Sequence, residues 1–151
     1  NTQRILSDSN FNQKKELCYS AAKKMNLENL CVKSKIDGND IHLLSDDELS
    51  VSKHVIEENI RVVKAAKVLK NNKAKEFGKL MTESHVSLSK YYGVSTNELD
   101  KLVDLSNSFG ALGSKLTGAG FGGAIVTLIK KELVEELKKY ILNNYPNAKF
   151  I

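Results

Sequence analysis

The 151-residue sequence has no tryptophan, one proline, two cysteines and two methionines. With aromatics at 7% and hydrophobic residues at 41%, a buried core must be largely aliphatic. Cys18 and Cys31 are too few for a disulfide framework or a zinc site, and each reads as a buried free thiol beside apolar neighbours. One proline and nine glycines exclude collagen-like and proline-rich disordered chains. No apolar run approaches the ~20 residues needed to cross a bilayer, and no secretory leader opens the sequence. The expected setting is cytoplasmic and reducing. Arginine occurs only at Arg4 and Arg61, which leaves little for reading base edges. The first residue is Asn1 rather than Met, so the sequence reads as a processed chain or a piece of a longer one.

What is present is charge and helical periodicity. The formal net charge is +5 and the isoelectric point about 9.1. The lysines fall on helix faces with acids nearby, which gives a solvated surface rather than a nucleic-acid groove. Ser9 is expected to cap a helix to about residue 26, with Phe11, Cys18, Ala21, Ala22 and Met25 forming its apolar stripe. Residues 36–39 read as a turn, with Gly38 left-handed. Ser45 to Glu48 forms a capping box for a short helix, and a longer one follows over about 51–69. Ile56, Ile60 and Val63 lie on one side of it, with Val55, Val62, Ala66 and Leu69 beside them. The next helix carries Ala74, Phe77, Met81, Ser84, Leu88 and Tyr91 at helical spacing. Gly78 inside it costs roughly 1 kcal/mol against alanine and points to close backbone packing. Gly93 reads as the helix cap, and Ser95 to Glu98 as a second capping box.

The texture then changes. Six of the nine glycines fall between Gly110 and Gly123. Residues 114–117 predict one strand and residues 124–129 a second, buried one. A helix around Leu133, Val134, Leu137, Tyr140 and Ile141 stops before Pro146, and residues 1–8 and 148–151 are candidate terminal strands. Helices first and strands late argue for an α+β fold. Gly118-Ala119-Gly120-Phe121-Gly122-Gly123 matches G-x-G-x-x-G, but a strand follows it rather than a helix. That excludes the dinucleotide fingerprint. Four glycines in six residues exceed what a hairpin turn requires and suit a bare backbone beside an anion, or another loop packed flush against the bend.

Gly113-Ser114-Lys115-Leu116-Thr117-Gly118-Ala119-Gly120-Phe121-Gly122-Gly123 resembles the third motif of the GHMP small-molecule kinases, in its galactokinase form G-S-[RK]-[ML]-T-G-[AG]-G-F-G-G. Two further stretches are similar to that branch. Asn1-Thr2 through Asp8-Ser9-Asn10-Phe11-Asn12, then Glu16-Leu17-Cys18, resembles its N-T-x-x-R-x-L-x-D-S-x-Y-N-x-R-x-x-E-C segment. Phe77-Gly78 through Ser84-His85, Tyr91 and Glu98-Leu99-Asp100 match its F-G-x-L-M-x-x-S-H segment. The resemblance covers most of the chain. It implies a single domain over residues 1–151, with helices packed on a small antiparallel, ferredoxin-like sheet. It also implies that an N-terminal domain holds the main phosphate loop, the catalytic aspartate and most contacts to Mg²⁺.

The implied activity is ATP-dependent phosphorylation of galactose at O1, with ATP, galactose and the N-terminal domain as partners. Neither a membrane nor a nucleic acid is implied. Alternatives are a galactokinase-like sugar and ATP sensor without turnover, or a kinase for N-acetylgalactosamine, a heptose or mevalonate. Thr117, Gly118, Ala119, Gly120, Phe121, Gly122 and Gly123 are the implied phosphate-side residues, with Lys115 as an accessory cation. Phe11 and Arg4 are the implied sugar-side residues. Phe11 stands where the family has tyrosine, and Lys14 where it prefers arginine. No catalytic or metal-binding residue is expected in this chain. Asp46, Asp47 and Glu48 read as capping acids, and Glu57 and Glu58 as a solvated face. His85 reads as a packing or hydrogen-bonding residue, while His42 and His54 are too scattered for a metal site.

Overall fold

The computed structural model describes residues 8–151. Six α-helices surround one β-hairpin: α1 (Asp8–Lys24), α2 (Gly38–Leu43), α3 (Asp46–Lys70), α4 (Ala74–Ser87), α5 (Asn97–Phe109), β1 (Gly113–Thr117), β2 (Ala124–Leu128) and α6 (Val134–Asn144). The α+β expectation holds, with a sheet of two antiparallel strands in the register Gly113 to Leu128 and Thr117 to Ala124. The candidate strand over residues 1–8 lies outside the described residues except for Asp8, which is helical. Residues 148–151 form no strand. They follow Pro146 and line a groove of about 340 Å³ beside β2 and α6.

Local chemistry sets most boundaries. α1 begins at Asp8, so Ser9 lies inside the helix rather than ahead of it. Gly38 is not a left-handed turn. The Asp37 carboxylate accepts from Asn39 and Asp40 N–H and starts α2 there. Ser45 and Glu48 form the expected capping box, but the helix they open runs unbroken for 25 residues, about 37 Å. The short and long helices expected from sequence are thus one, because no residue between 46 and 70 interrupts the hydrogen-bond ladder. At α5 the cap is Thr96, whose hydroxyl accepts from Leu99 N–H, and Ser95 is released for another role.

Two apolar clusters hold the chain together. Ala21, Ala22, Leu30, Leu44 and Ile56 join α1 to the first half of α3. Val94, Leu99 and Leu116 join α5 to the hairpin, with Leu88, Tyr92, Phe121 and Ile125 packed against them. Each fully buried Leu or Ile contributes roughly 1.5–3 kcal/mol. Two expectations fail here. Ile60, Val62, Val63 and Leu69 are exposed, because the buried side of this half of α3 is the one that carries Val68. No β2 residue is fully buried and Val126 is exposed, because helices cover the hairpin incompletely. Cys18 is half-buried and Cys31 exposed, not the buried pair expected.

Glu48 ties α1 to α3. It accepts from the Ser20 hydroxyl at 2.6 Å, the Lys24 ammonium at 2.7 Å and Ser45 N–H at 2.8 Å. Burial pushes its carboxyl up, but these donors outweigh burial and hold it at about 2.

Candidate functional site

The glycine-rich segment is the hairpin's connecting loop. Gly118, Gly120, Gly122 and Gly123 all have positive φ, between 82° and 110°. A side chain there costs roughly 1–2 kcal/mol from backbone sterics alone. Two of the glycines border free space. A Cβ built on Gly118 or Gly123 meets no atom within 4 Å. Gly120 is different, since its Cβ would lie 2.3 Å from the Val94 carbonyl oxygen. The loop therefore seats on the α4–α5 connection at Gly120 and leaves bare backbone outward at 118 and 123.

Phe121 makes that seat. It is the loop's one non-glycine residue with positive φ, at 56°. Its N–H donates to Val94 O at 2.7 Å, and its ring packs against the cluster of Val94, Leu99 and Leu116. This contact offsets the strain of a left-handed phenylalanine. Phe121 is thus the loop's anchor, with its amide already engaged. Ala119 is half-buried, and Thr117, at the end of β1, is exposed beside the loop.

α4 braces β1 along the edge that β2 leaves open. Gly78, Thr82 and His85 recur at i, i+4 and i+7, on one helix face. A Cβ on Gly78 would sit 2.1 Å from Leu112 O, so helix and strand meet backbone to backbone, as the sequence predicts for Gly78. Thr82 Oγ1 accepts from Ser114 N–H at 3.3 Å, and His85 Nδ1 accepts from Leu116 N–H at 3.2 Å. Inside the hairpin, the Ser114 hydroxyl donates to Thr127 Oγ1 at 2.9 Å.

Lys115 turns inward. Its ammonium donates to Ser84 Oγ at 2.7 Å and lies 3.5 Å from Glu58 Oε1. Glu58 also pairs with Arg61 and accepts from Ser84. Burial pushes the Glu58 carboxyl up, but the Ser84 hydroxyl and the Lys115 and Arg61 cations outweigh it and keep it below the usual range. Glu58 is consequently part of a half-buried ionic cluster, not a solvated face.

Phe11 is exposed on α1. One turn further along, the Lys14 ammonium lies 3.4 Å from a Cβ built on Gly93, next to Val94. The start of α1 and the glycine loop thus approach the same connection. Arg4 lies outside the described residues. No group of three His, Cys, Asp or Glu side chains that could hold a metal occurs among the described residues, so no Mg²⁺ ligation is assigned to them. Nor is any helix among them long and apolar enough to cross a membrane. A larger concavity, about 590 Å³, lies between residues 34–36, α3 and Tyr91, and no loop residue lines it.

The glycine-bent hairpin is thus braced by α4 behind and open in front at Gly118 and Gly123. The family model described as GHMP kinases C terminal matches residues 65–147, and the chain belongs to that family. It is 38% identical to galactokinase of Clostridium acetobutylicum and 39% identical to that of Clostridium tetani. Each alignment covers 96% of this chain and 39% of the relative, so the chain spans well under half of the relatives' length. The crystal structure of Lactococcus lactis galactokinase complexed with galactose superposes with a TM-score of 0.83 at 28% identity, over 96% of this chain and 39% of that one.

The sequence marked the loop residues and Gly78. It missed Val94, Thr82 and the His85–Asp100 pair (3.1 Å), which fix where the loop sits. Only the nearness of Ser84-His85 to Gly78 hinted at them.

Proposed function

We propose that this chain is a single domain over residues 1–151, the C-terminal part of a galactokinase that transfers the γ-phosphoryl group of ATP to O1 of galactose. The carrying observation is the likeness to galactokinases along 96% of the chain. In the transfer, the O1–phosphorus bond forms as the bond from phosphorus to the β-phosphate oxygen breaks, and the O1 proton leaves to a base. Catalysis of this kind is chiefly positioning and charge stabilisation. This chain's share is the bare backbone of Gly118 and Gly123, set against the phosphate loop of an N-terminal domain and closing the site against water, with Gly120 seating the loop on Val94. Open space at Gly118 and Gly123 supports that approach. Thr117 offers a hydroxyl beside the loop. Phe11 and Arg4 are assigned to the sugar side on the family resemblance alone. Mg²⁺, when bound, neutralises phosphate charge and is held by the N-terminal domain. The reaction belongs in the cytoplasm.

The test is galactose-dependent ADP release by the full-length protein, with galactose 1-phosphate identified as product. The isolated chain is expected to be inactive. Full-length protein without turnover on galactose would overturn the proposal, as would a kinase preference for another acceptor.

A further inference from the structure

His85 joins three elements at one buried point. It projects from α4 and is 4% exposed. Nδ1 accepts from Leu116 N–H on β1, so the neutral ring carries its proton on Nε2, which lies 3.1 Å from Asp100 Oδ1 on α5. Asp100 accepts in turn from the hydroxyls of Ser95 and Ser89. Ser95 follows Val94, whose carbonyl accepts from Phe121 N–H. The circuit closes: Leu116 before the loop and Phe121 within it are both fastened to one polar network. The hairpin's own ladder supplies neither bond.

We propose that His85 is the positioning residue of the glycine loop, holding it at the height where its backbone meets the phosphates. This rests on the kinase reading above. His85 touches no reacting atom and acts through Leu116 and Asp100. The charged groups facing it are Asp100 and Asp104 from α5 and Lys115 from β1. A proton on Nδ1 would oppose the Leu116 N–H with a second donor and break that bond. The ring therefore works in its neutral form.

The experiment uses the full-length protein with His85→Leu, His85→Asn and Asp100→Leu, read by ATP and galactose kinetics and by amide hydrogen exchange. His85→Leu should lower kcat/KM for ATP roughly ten- to a hundredfold, with the KM for galactose little changed. Exchange should accelerate at residues 116–123 and stay at the parent rate in α6. His85→Asn keeps an acceptor near Nδ1 and should recover part of both signals. Asp100→Leu should reproduce His85→Leu, and the double variant should be no worse than either single one. A His85→Leu protein that folds with parental loop exchange and parental ATP kinetics overturns the proposal. If His85→Leu does not fold, His85→Asn decides by the same two readouts. If the parent phosphorylates nothing, the kinase reading fails on its own, and loop exchange still decides whether His85 holds the loop.

Discussion

Replacing Gly78 by alanine should loosen the junction on which the loop depends. The added Cβ would lie 2.1 Å from Leu112 O and 2.3 Å from Leu112 C. Both are backbone atoms, so no rotamer change relieves the clash, and α4 must move away from β1. Overpacking of this kind costs about 1–3 kcal/mol. The shift also stretches the Thr82–Ser114 and His85–Leu116 hydrogen bonds, each contributing about 1 kcal/mol. Alanine's helix propensity returns about 1 kcal/mol. The net expectation is roughly 3 kcal/mol of destabilisation, a fall of about 6–12 °C in Tm for a domain of this size. Urea unfolding followed by circular dichroism measures it, with Gly38→Ala as the control. Gly38 opens α2 with no atom within 4 Å of its Cβ, so that variant should be neutral or gain up to about 1 kcal/mol. If Gly78→Ala is as stable as the parent, helix and strand do not meet as described, and the bracing of the loop falls with them.

In the full-length protein, Gly120→Val should abolish most turnover, because its Cβ meets Val94 O at 2.3 Å; near-normal kinetics would separate the loop from the phosphates. Phe11→Tyr should lower the KM for galactose by the worth of one hydrogen bond, about 0.5–1.5 kcal/mol; an unchanged KM removes Phe11 from the sugar side. Glu48→Gln should cost about 2–3 kcal/mol in urea unfolding, since it weakens the contacts to Lys24 and Ser20, Lys24 being partly solvated. Burial lowers His54 from 6.5 to about 4, so the folded chain binds fewer protons than the unfolded one between those values. Stability should then fall by roughly 2 kcal/mol after discounting solvent screening as pH drops through that window, and His54→Gln should flatten the curve. The Glu48 contribution is present above 4.5 and lost only as pH falls toward 2, which separates the two groups.

Periodicity and punctuation made the helices legible. Ser45, Gly93 and Pro146 mark boundaries because capping and chain sterics act over three or four residues. Gly78 was legible for a similar reason: a costly residue inside a helix demands a close neighbour. What escaped was how helix faces are shared out. Ala74, Phe77, Met81 and Ser84 trace the apolar stripe of α4, but β1 meets a second face made of Gly78, Thr82 and His85. Two of those three are polar and none scores as core, so a hydrophobic pattern passes over them. The outer half of α3 fails in the opposite direction. Ile60, Val63 and Leu69 have the right spacing for burial, but the buried side of this half is the one that carries Val68.

The loop's composition follows from its mounting. A hairpin tip with four left-handed glycines is entropically costly to hold still. Bare backbone at Gly118 and Gly123 offers no side chain by which the fold could grip it. The grip is therefore displaced to the margins: Leu116 through His85, Ser114 through Thr82, and Phe121 through Val94. Phe121 breaks the glycine run for this reason, since its ring reaches the core while Gly118 and Gly123 stay outward. A glycine at 121 would leave one backbone bond to seat the tip, and the loop would lose the ring contact that fixes its height over Val94, Leu99 and Leu116.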